Sequence, residues 1–210
     1  MDFRALRAQK QQDRVRANMK HNSDLLDTLL ELQALDRVPR FGYSMRGISD
    51  PESVSEHTFH LCMLVWALAP EAPGVDLGHA LQLAMIHDLA EVRTGDLPRT
   101  ATAYFPRETK LRAERAVIED LMGPAADRAR PLLEEYQAGK TAEARFVGAC
   151  DKLQLLLKTW TYEHWGAGKN LDELWENLDP FPDGGFDVVH RLFQTLRERR
   201  QRQAEEPRPA

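Results

Sequence analysis

The stretch AMIHDLAEVRTGD, residues 84–96, decides how the rest of this 210-residue chain is read. Its apolar residues recur at helical spacing, with Leu81, Ala84, Met85 and Leu89 on one side of a helix expected over residues 76–93. His87 and Asp88 fall inside that run. A histidine–aspartate pair is expensive to bury mid-helix unless something neutralises or coordinates it. Neighbouring helical residues point about 100° apart, so both reach one ion only where their helix borders a cleft. Imidazole and carboxylate together suit a divalent transition metal such as Mn, Fe, Co, Ni or Zn.

Polar residues elsewhere point to the same chemistry. Glu91 follows one turn after His87 and Asp88, and Asp96 sits in the turn TGDLP that stops the helix, where Gly95 permits backbone angles that other residues resist. Upstream, His57 leads the helical run EHTFHLCMLVWALA, residues 56–69, for which Ser53 and Ser55 are both plausible N-caps. His60 lies on the same helix side but is expected to be an ordinary core or surface histidine. Downstream, Asp151 is embedded in RFVGACDKLQLLL, residues 145–157. An unpaired carboxylate there costs on the order of several kcal/mol. Lys152, at i+1, is expected to point away, so a metal or an arginine is the better partner.

The remainder of the chain reads as helices and loops. Residues 24–35 carry leucines at helical spacing, and DRVPRFGYSMRGISDPES, residues 36–53, is expected to be a long loop. Further helices are expected over about 107–122, 125–138, 141–166 and 185–199, with a short one near 170–178. No segment alternates with period two long enough for a strand, so the fold class is all-α. The domain reading is a polar N-terminal segment or accessory helix over 1–22, one domain over 23–199, and a disordered tail over 200–210.

Composition narrows the partners. A formal charge of −5 argues against a nucleic-acid polymer, which needs a basic surface, but leaves room for a mononucleotide. No apolar run approaches the ~20 residues that span a bilayer, and the charged N-terminus has no apolar signal core, so no membrane association is expected. Cys62 and Cys150 are expected to be free thiols of a cytoplasmic protein. The aromatic group Trp160, Tyr162, His164 and Trp165 is read as helix–helix or dimer interface in preference to a base-stacking wall.

These residues resemble the HD-domain metal-dependent phosphohydrolases, and within them the small branch of 5′-deoxynucleotidase-like proteins. The likeness rests on RVPRFGYSMRG, PESVSEHTFH, AMIHDLAEVRTGDLP and ACDKLQLLL, in that order, spread over about residues 30–165. The resemblance implies a single-domain helical HD-domain fold with the metal site between core helices. It implies metal ligation by His57, His87, Asp88 and Asp151, with Glu91 and Asp96 serving catalysis. A loop arginine would hold the phosphate. Arg40 matches best, with Arg37 and Arg46 as alternatives. Relatives often carry tryptophan near Tyr43, where this sequence departs. The implied substrate is a (deoxy)nucleoside 5′-monophosphate, and the implied assembly is a homodimer.

The physics allows the same reaction. An ion that keeps open positions activates water near neutral pH, and Glu91 or Asp96 is placed to move the proton. Three alternatives stand beside this reading. One is a di-iron oxidase, for which only His60 offers an extra ligand. Another is an HD-fold nucleotide sensor or scaffold with a structural metal, and the last is a hydrolase of another phosphoester such as (p)ppGpp or a dNTP.

Overall fold

The computed structural model describes residues 24–205 apart from Ala103, and within them every regular element is helical. Residues 24–32 form α1 and lead into a 3-10 turn, Gln33–Arg37. The segment expected as a plain loop then contains a one-turn helix, α2 (Phe41–Ser44). It also forms an antiparallel bridge of Pro39 with Ser53, in which Arg40 N–H donates to Glu52 O (2.9 Å) and Val54 N–H to Val38 O (2.9 Å). Tyr43 clamps this segment to the core by donating its hydroxyl to Leu155 O at 2.8 Å.

The helix α3 (Val54–Leu68) begins on a capping box. Ser53 Oγ accepts from Glu56 N–H (3.2 Å), and Glu56 Oε2 accepts from Ser53 N–H (2.7 Å), so two otherwise open amides are satisfied reciprocally. This fixes where the first turn starts and hence where His57 points. Next comes α4 (Leu77–Ile86), capped by Asp76, whose side chain accepts from His79 N–H at 2.7 Å. Beyond a turn lie α5 (Glu91–Thr94) and α6 (Arg99–Thr102), then α7 (Arg107–Met122) and α8 (Ala126–Ala138). The long α9 (Ala142–His164), α10 (Asp172–Glu176) and α11 (Asp187–Glu205) complete the chain. The last helix was expected to end near residue 199 but continues to Glu205; residues 1–23 and 206–210 lie outside the described residues.

At the centre is α9, packed by α3, α4, α8 and α11. Phe146, Val147, Leu153 and Leu156 are fully buried against Leu61 and Val65 of α3, Leu83 of α4 and Val189 of α11. Each such side chain contributes about 1.5–3 kcal/mol relative to exposure. A helix surrounded in this way is expected to be apolar all round, yet Asp151, Gln154 and Thr159 of α9 are buried too. Thr159 is satisfied within the helix by Leu155 O at 2.7 Å, whereas Asp151 marks where the core opens into a cavity.

Candidate metal and phosphate site

The sequence placed His87 and Asp88 mid-helix over 76–93, and here the structure differs. The helix α4 ends at Ile86, and residues 87–90 form a turn held by shorter bonds, Leu89 N–H to Ile86 O (3.1 Å) and Glu91 N–H to Asp88 O (3.0 Å). A helix end leaves its last carbonyls open. His87 Nδ1 donates to one of them, Ala84 O, at 2.8 Å. The break also explains how adjacent residues serve one centre, because Asp88 leaves the helical cylinder and turns back toward His87.

His57, fully buried in the first turn of α3, comes from the opposite wall. Donor atoms of His57, His87 and Asp88 lie within 4.8 Å of one another. His57 Nε2 is 3.3 Å from His87 Nε2, and Asp88 Oδ2 is 2.9 Å from His87 Nε2 and 3.7 Å from His57 Nε2. Asp151 borders the trio with Oδ1 3.3 Å from His57 Nε2, while its Oδ2 takes Lys152 Nζ at 2.7 Å. That ion pair corrects the expectation that Lys152 points away. The backbone positions do diverge, but the flexible four-carbon stem of lysine curls back to its neighbour.

The donor set fits a divalent transition metal. His87 Nδ1 gives its proton to a carbonyl, which can only accept, and His57 Nδ1 is engaged 2.6 Å from Gln154 Oε1. Neutral rings held in this way present two bare Nε2 lone pairs to one another at 3.3 Å. They repel unless a cation lies between them, and imidazole with carboxylate is a borderline-soft set suited to Mn, Fe, Co, Ni or Zn. Without a metal, a proton serves the same end. Burial opposes charge on His87, but Asp88 and Asp151 outweigh it and raise the His87 pKa.

The carboxyl groups around this centre are driven apart. Burial disfavours the Asp88 charge, yet His87, Arg40 and His57 overcome it and hold the group well below the usual carboxylate range. Asp151 is likewise held low, by Lys152, His57 and His87 against burial. Glu91 goes the other way: burial, then Asp88 and Asp96, push its pKa up to about 10, and its Oε2 has no hydrogen-bond partner among the described residues. A carboxyl group that keeps its proton at neutral pH is a general acid in waiting. Asp96 does something different. Its Oδ2 accepts the Phe41 N–H at 2.7 Å, and its Oδ1 lies 3.9 Å from Arg40 Nη1, so it ties α2 and the preceding arginine to the turn after α5.

Of the three loop arginines, only Arg40 reaches the centre, donating to Asp88 Oδ2 at 3.2 Å. Arg46 lies further out, paired with Glu173 at 2.9 Å, and Arg37 is exposed on the 3-10 turn. All of this opens into one cavity of about 1070 Å3, lined by Arg40, Arg46, His87, Asp88, Glu91, Asp96 and Asp151 among others. Its size matches or exceeds ordinary small-ligand pockets. Trp160, Tyr162, His164 and Trp165 do not line it. Trp160 stacks on His164, and Tyr162 accepts the Glu52 N–H, so neither serves as a base-stacking wall for this cavity.

Sequence reasoning missed three residues of the site. Gln154 is three positions after Asp151 on α9, so helical spacing pointed to it. Glu52 stands inside PESVSEH, but nothing in its spacing marked it as buried. Tyr136 of α8 sets its ring edge-on to His87 at 5.2 Å with its hydroxyl 3.5 Å from Asp151 Oδ2, and no local pattern announced it.

A helical fold with a histidine–aspartate centre beside a part-buried arginine defines a class. Comparison with known proteins places the chain within it. The HD domain family matches residues 32–176, and the chain belongs to that family of phosphohydrolases. It is 34% identical over 143 residues to "5′-deoxynucleotidase HDDC2" of Xenopus laevis, covering 66% of this chain and 69% of that protein. It is 28% identical over 178 residues to "5′-deoxynucleotidase YGK1" of Saccharomyces cerevisiae, covering 81% and 80%. Among solved structures, a conserved hypothetical protein from Pyrococcus furiosus superposes with a TM-score of 0.72 at 30% identity, covering 82% of this chain and 99% of that one.

Proposed function

We propose that this protein releases phosphate from (deoxy)nucleoside 5′-monophosphates with a divalent transition metal held by His57, His87, Asp88 and Asp151. The observation that carries the metal half is the pair of imidazole Nε2 atoms 3.3 Å apart with both Nδ1 atoms engaged elsewhere. The nucleotide half is supported by relatives named as 5′-deoxynucleotidases at about 30% identity. When bound, the metal supplies a Lewis acid for phosphoryl oxygens and lowers the pKa of a water.

The chain's own residues do the rest. Arg40, half-buried beside Asp88 and Asp96, offers a fixed guanidinium to the phosphate oxygens. Asp96 positions that arginine through the Phe41 amide. Glu91, which holds its proton in the metal-free protein, is assigned to hand it to the 5′ oxygen as the P–O bond breaks, so the nucleoside leaves as a neutral alcohol while water's oxygen stays on phosphorus. A buried carboxyl group in the wall of an open cavity, its Oε2 without a hydrogen-bond partner among the described residues, favours a reacting site over a purely structural metal.

The test is phosphate release from a panel of nucleoside monophosphates, ribo and deoxy, with Mn, Co, Mg and Zn. The expected result is metal-dependent release that Asp88→Ala abolishes. Metal-loaded protein that hydrolyses no monophosphate would refute the reading.

A further inference from the structure

Behind His57, away from the cavity, lies a chain of buried polar groups that the reaction does not touch. His57 Nδ1 is 2.6 Å from Gln154 Oε1, and Gln154 Nε2 donates to Glu52 Oε2 at 3.0 Å. Glu52 Oε2 in turn pairs with Lys158 Nζ at 3.4 Å, with His60 Nδ1 at 3.7 Å. Glu52 and Gln154 are each only 3% exposed.

We propose that Glu52 and Gln154 are positioning residues that dictate which nitrogen of His57 faces the metal. An amide side chain has a donor end and an acceptor end of nearly equal size, and its neighbours decide which way it points. Glu52 Oε2, which faces the Lys158 ammonium at 3.4 Å, presents an acceptor toward Gln154. The amide nitrogen of Gln154 must therefore face Glu52, which turns the amide oxygen toward His57. An oxygen there requires the proton on Nδ1, so Nε2 is left bare toward Asp88, His87 and Asp151. The Lys158–Glu52 pair thus sets the tautomer of a ring two hydrogen bonds away. Partners of this kind behind a ligating histidine are worth about 10–100-fold in metal affinity.

Glu52 has a second connection. Its carbonyl accepts the Arg40 amide at 2.9 Å, and its own N–H donates to Tyr162 Oη at 2.8 Å. The main chain of one residue therefore registers the phosphate arm while its side chain registers the metal ligand. Simple packing of α3 against α9 is the competing account. It predicts that a neutral side chain of the same shape at position 52 is harmless.

The inference rests on His57 being a metal ligand, and the experiment separates the two. Mn2+ binding, with the metal alone as probe, is measured by chelator competition for the parent, Glu52→Gln and Gln154→Leu. Glu52→Gln keeps shape and hydrogen bonding but lets the Gln154 amide turn either way. Both variants are expected to bind Mn2+ about 10–100-fold more weakly than the parent. Proton–nitrogen correlation spectra of 15N-histidine-labelled, Zn2+-loaded parent should show the His57 proton on Nδ1, and that signal should be lost in Gln154→Leu. Affinities within about two-fold of the parent in both folded variants would overturn the proposal. So would a parent in which the His57 proton sits on Nε2, a measurement that needs no variant to fold. A parent that binds no Mn2+ sinks the metal reading instead, and the spectrum of the metal-free parent then decides the His57 tautomer by itself.

Discussion

Glu91→Gln should stabilise the metal-free protein while abolishing phosphate release by the metal-loaded one, and the stability gain should grow with pH. Glu91 is only 4% exposed, has an unpartnered Oε2, and faces Asp88 and Asp96. Its pKa is pushed from 4.5 up to about 10. Between those values the unfolded chain has released this proton and the folded chain has not, so the folded state binds more protons and stability falls as pH rises. Each pH unit costs about 1.4 kcal/mol, so the cost at pH 7 is about 3 kcal/mol and near pH 4.5 it vanishes. Glutamine does not titrate, and its amide offers donors to the two nearby carboxylates. For a chain of this length, about 3 kcal/mol corresponds to a rise in Tm of roughly 6–12 °C. The assay is thermal unfolding of parent and variant with chelator present across pH 5–8, because a bound dication would pull the Glu91 pKa down. A Tm difference that does not change with pH would mean that Glu91 is ionised in the folded protein, and the general-acid assignment would fall with it.

Other outcomes follow from the same geometry. Arg40→Ala removes a half-buried charge-assisted donor, and kcat/KM should fall by about 30–150-fold, the equivalent of roughly 2–3 kcal/mol; a change under about two-fold would move phosphate binding elsewhere. Asp96→Ala frees the Phe41 amide and loosens the arginine arm, so KM should rise more than kcat falls; a loss confined to kcat would make Asp96 a chemical participant instead. Adding Mn2+ or Co2+ to chelator-stripped protein at about 100-fold over Kd should stabilise it by about 2.7 kcal/mol, read as a rise in Tm, and restore phosphate release; no shift in Tm with either metal would count against the site.

Much of this architecture was legible because helices announce themselves by spacing. The runs over 107–122 and 125–138 are found almost to the residue as α7 and α8. The histidine–aspartate centre was legible because polar residues interrupt apolar runs, and that contrast survives without knowledge of contacts. What failed was local in a different sense. The apolar period runs unbroken through His87, yet the chain there tightens into i→i−3 bonding, as the His87 ring takes up the Ala84 carbonyl and Asp88 turns back toward His87. Lys152 was misjudged because helical spacing describes where a side chain starts and a long stem decides where it ends. Glu52 and Tyr136 join the site only through tertiary packing, Glu52 from the segment before α3 and Tyr136 from α8, and periodicity within one segment carries no record of its neighbour.

The placement of these groups has a consequence for how such an enzyme can change. Asp151 and Gln154 share α9 with Leu153 and Leu156, so any substitution there is tried on the fold before it is tried on a substrate. Arg46 and Glu173 sit at the cavity's outer reach, partly exposed and held by one another, where an exchange asks little of the core. The buried histidine–aspartate centre is thereby insulated from drift, while the choice of what enters the cavity is left open to it. On the proposed reading, preference for a base or a sugar should vary among proteins of this design far more readily than the bond they break.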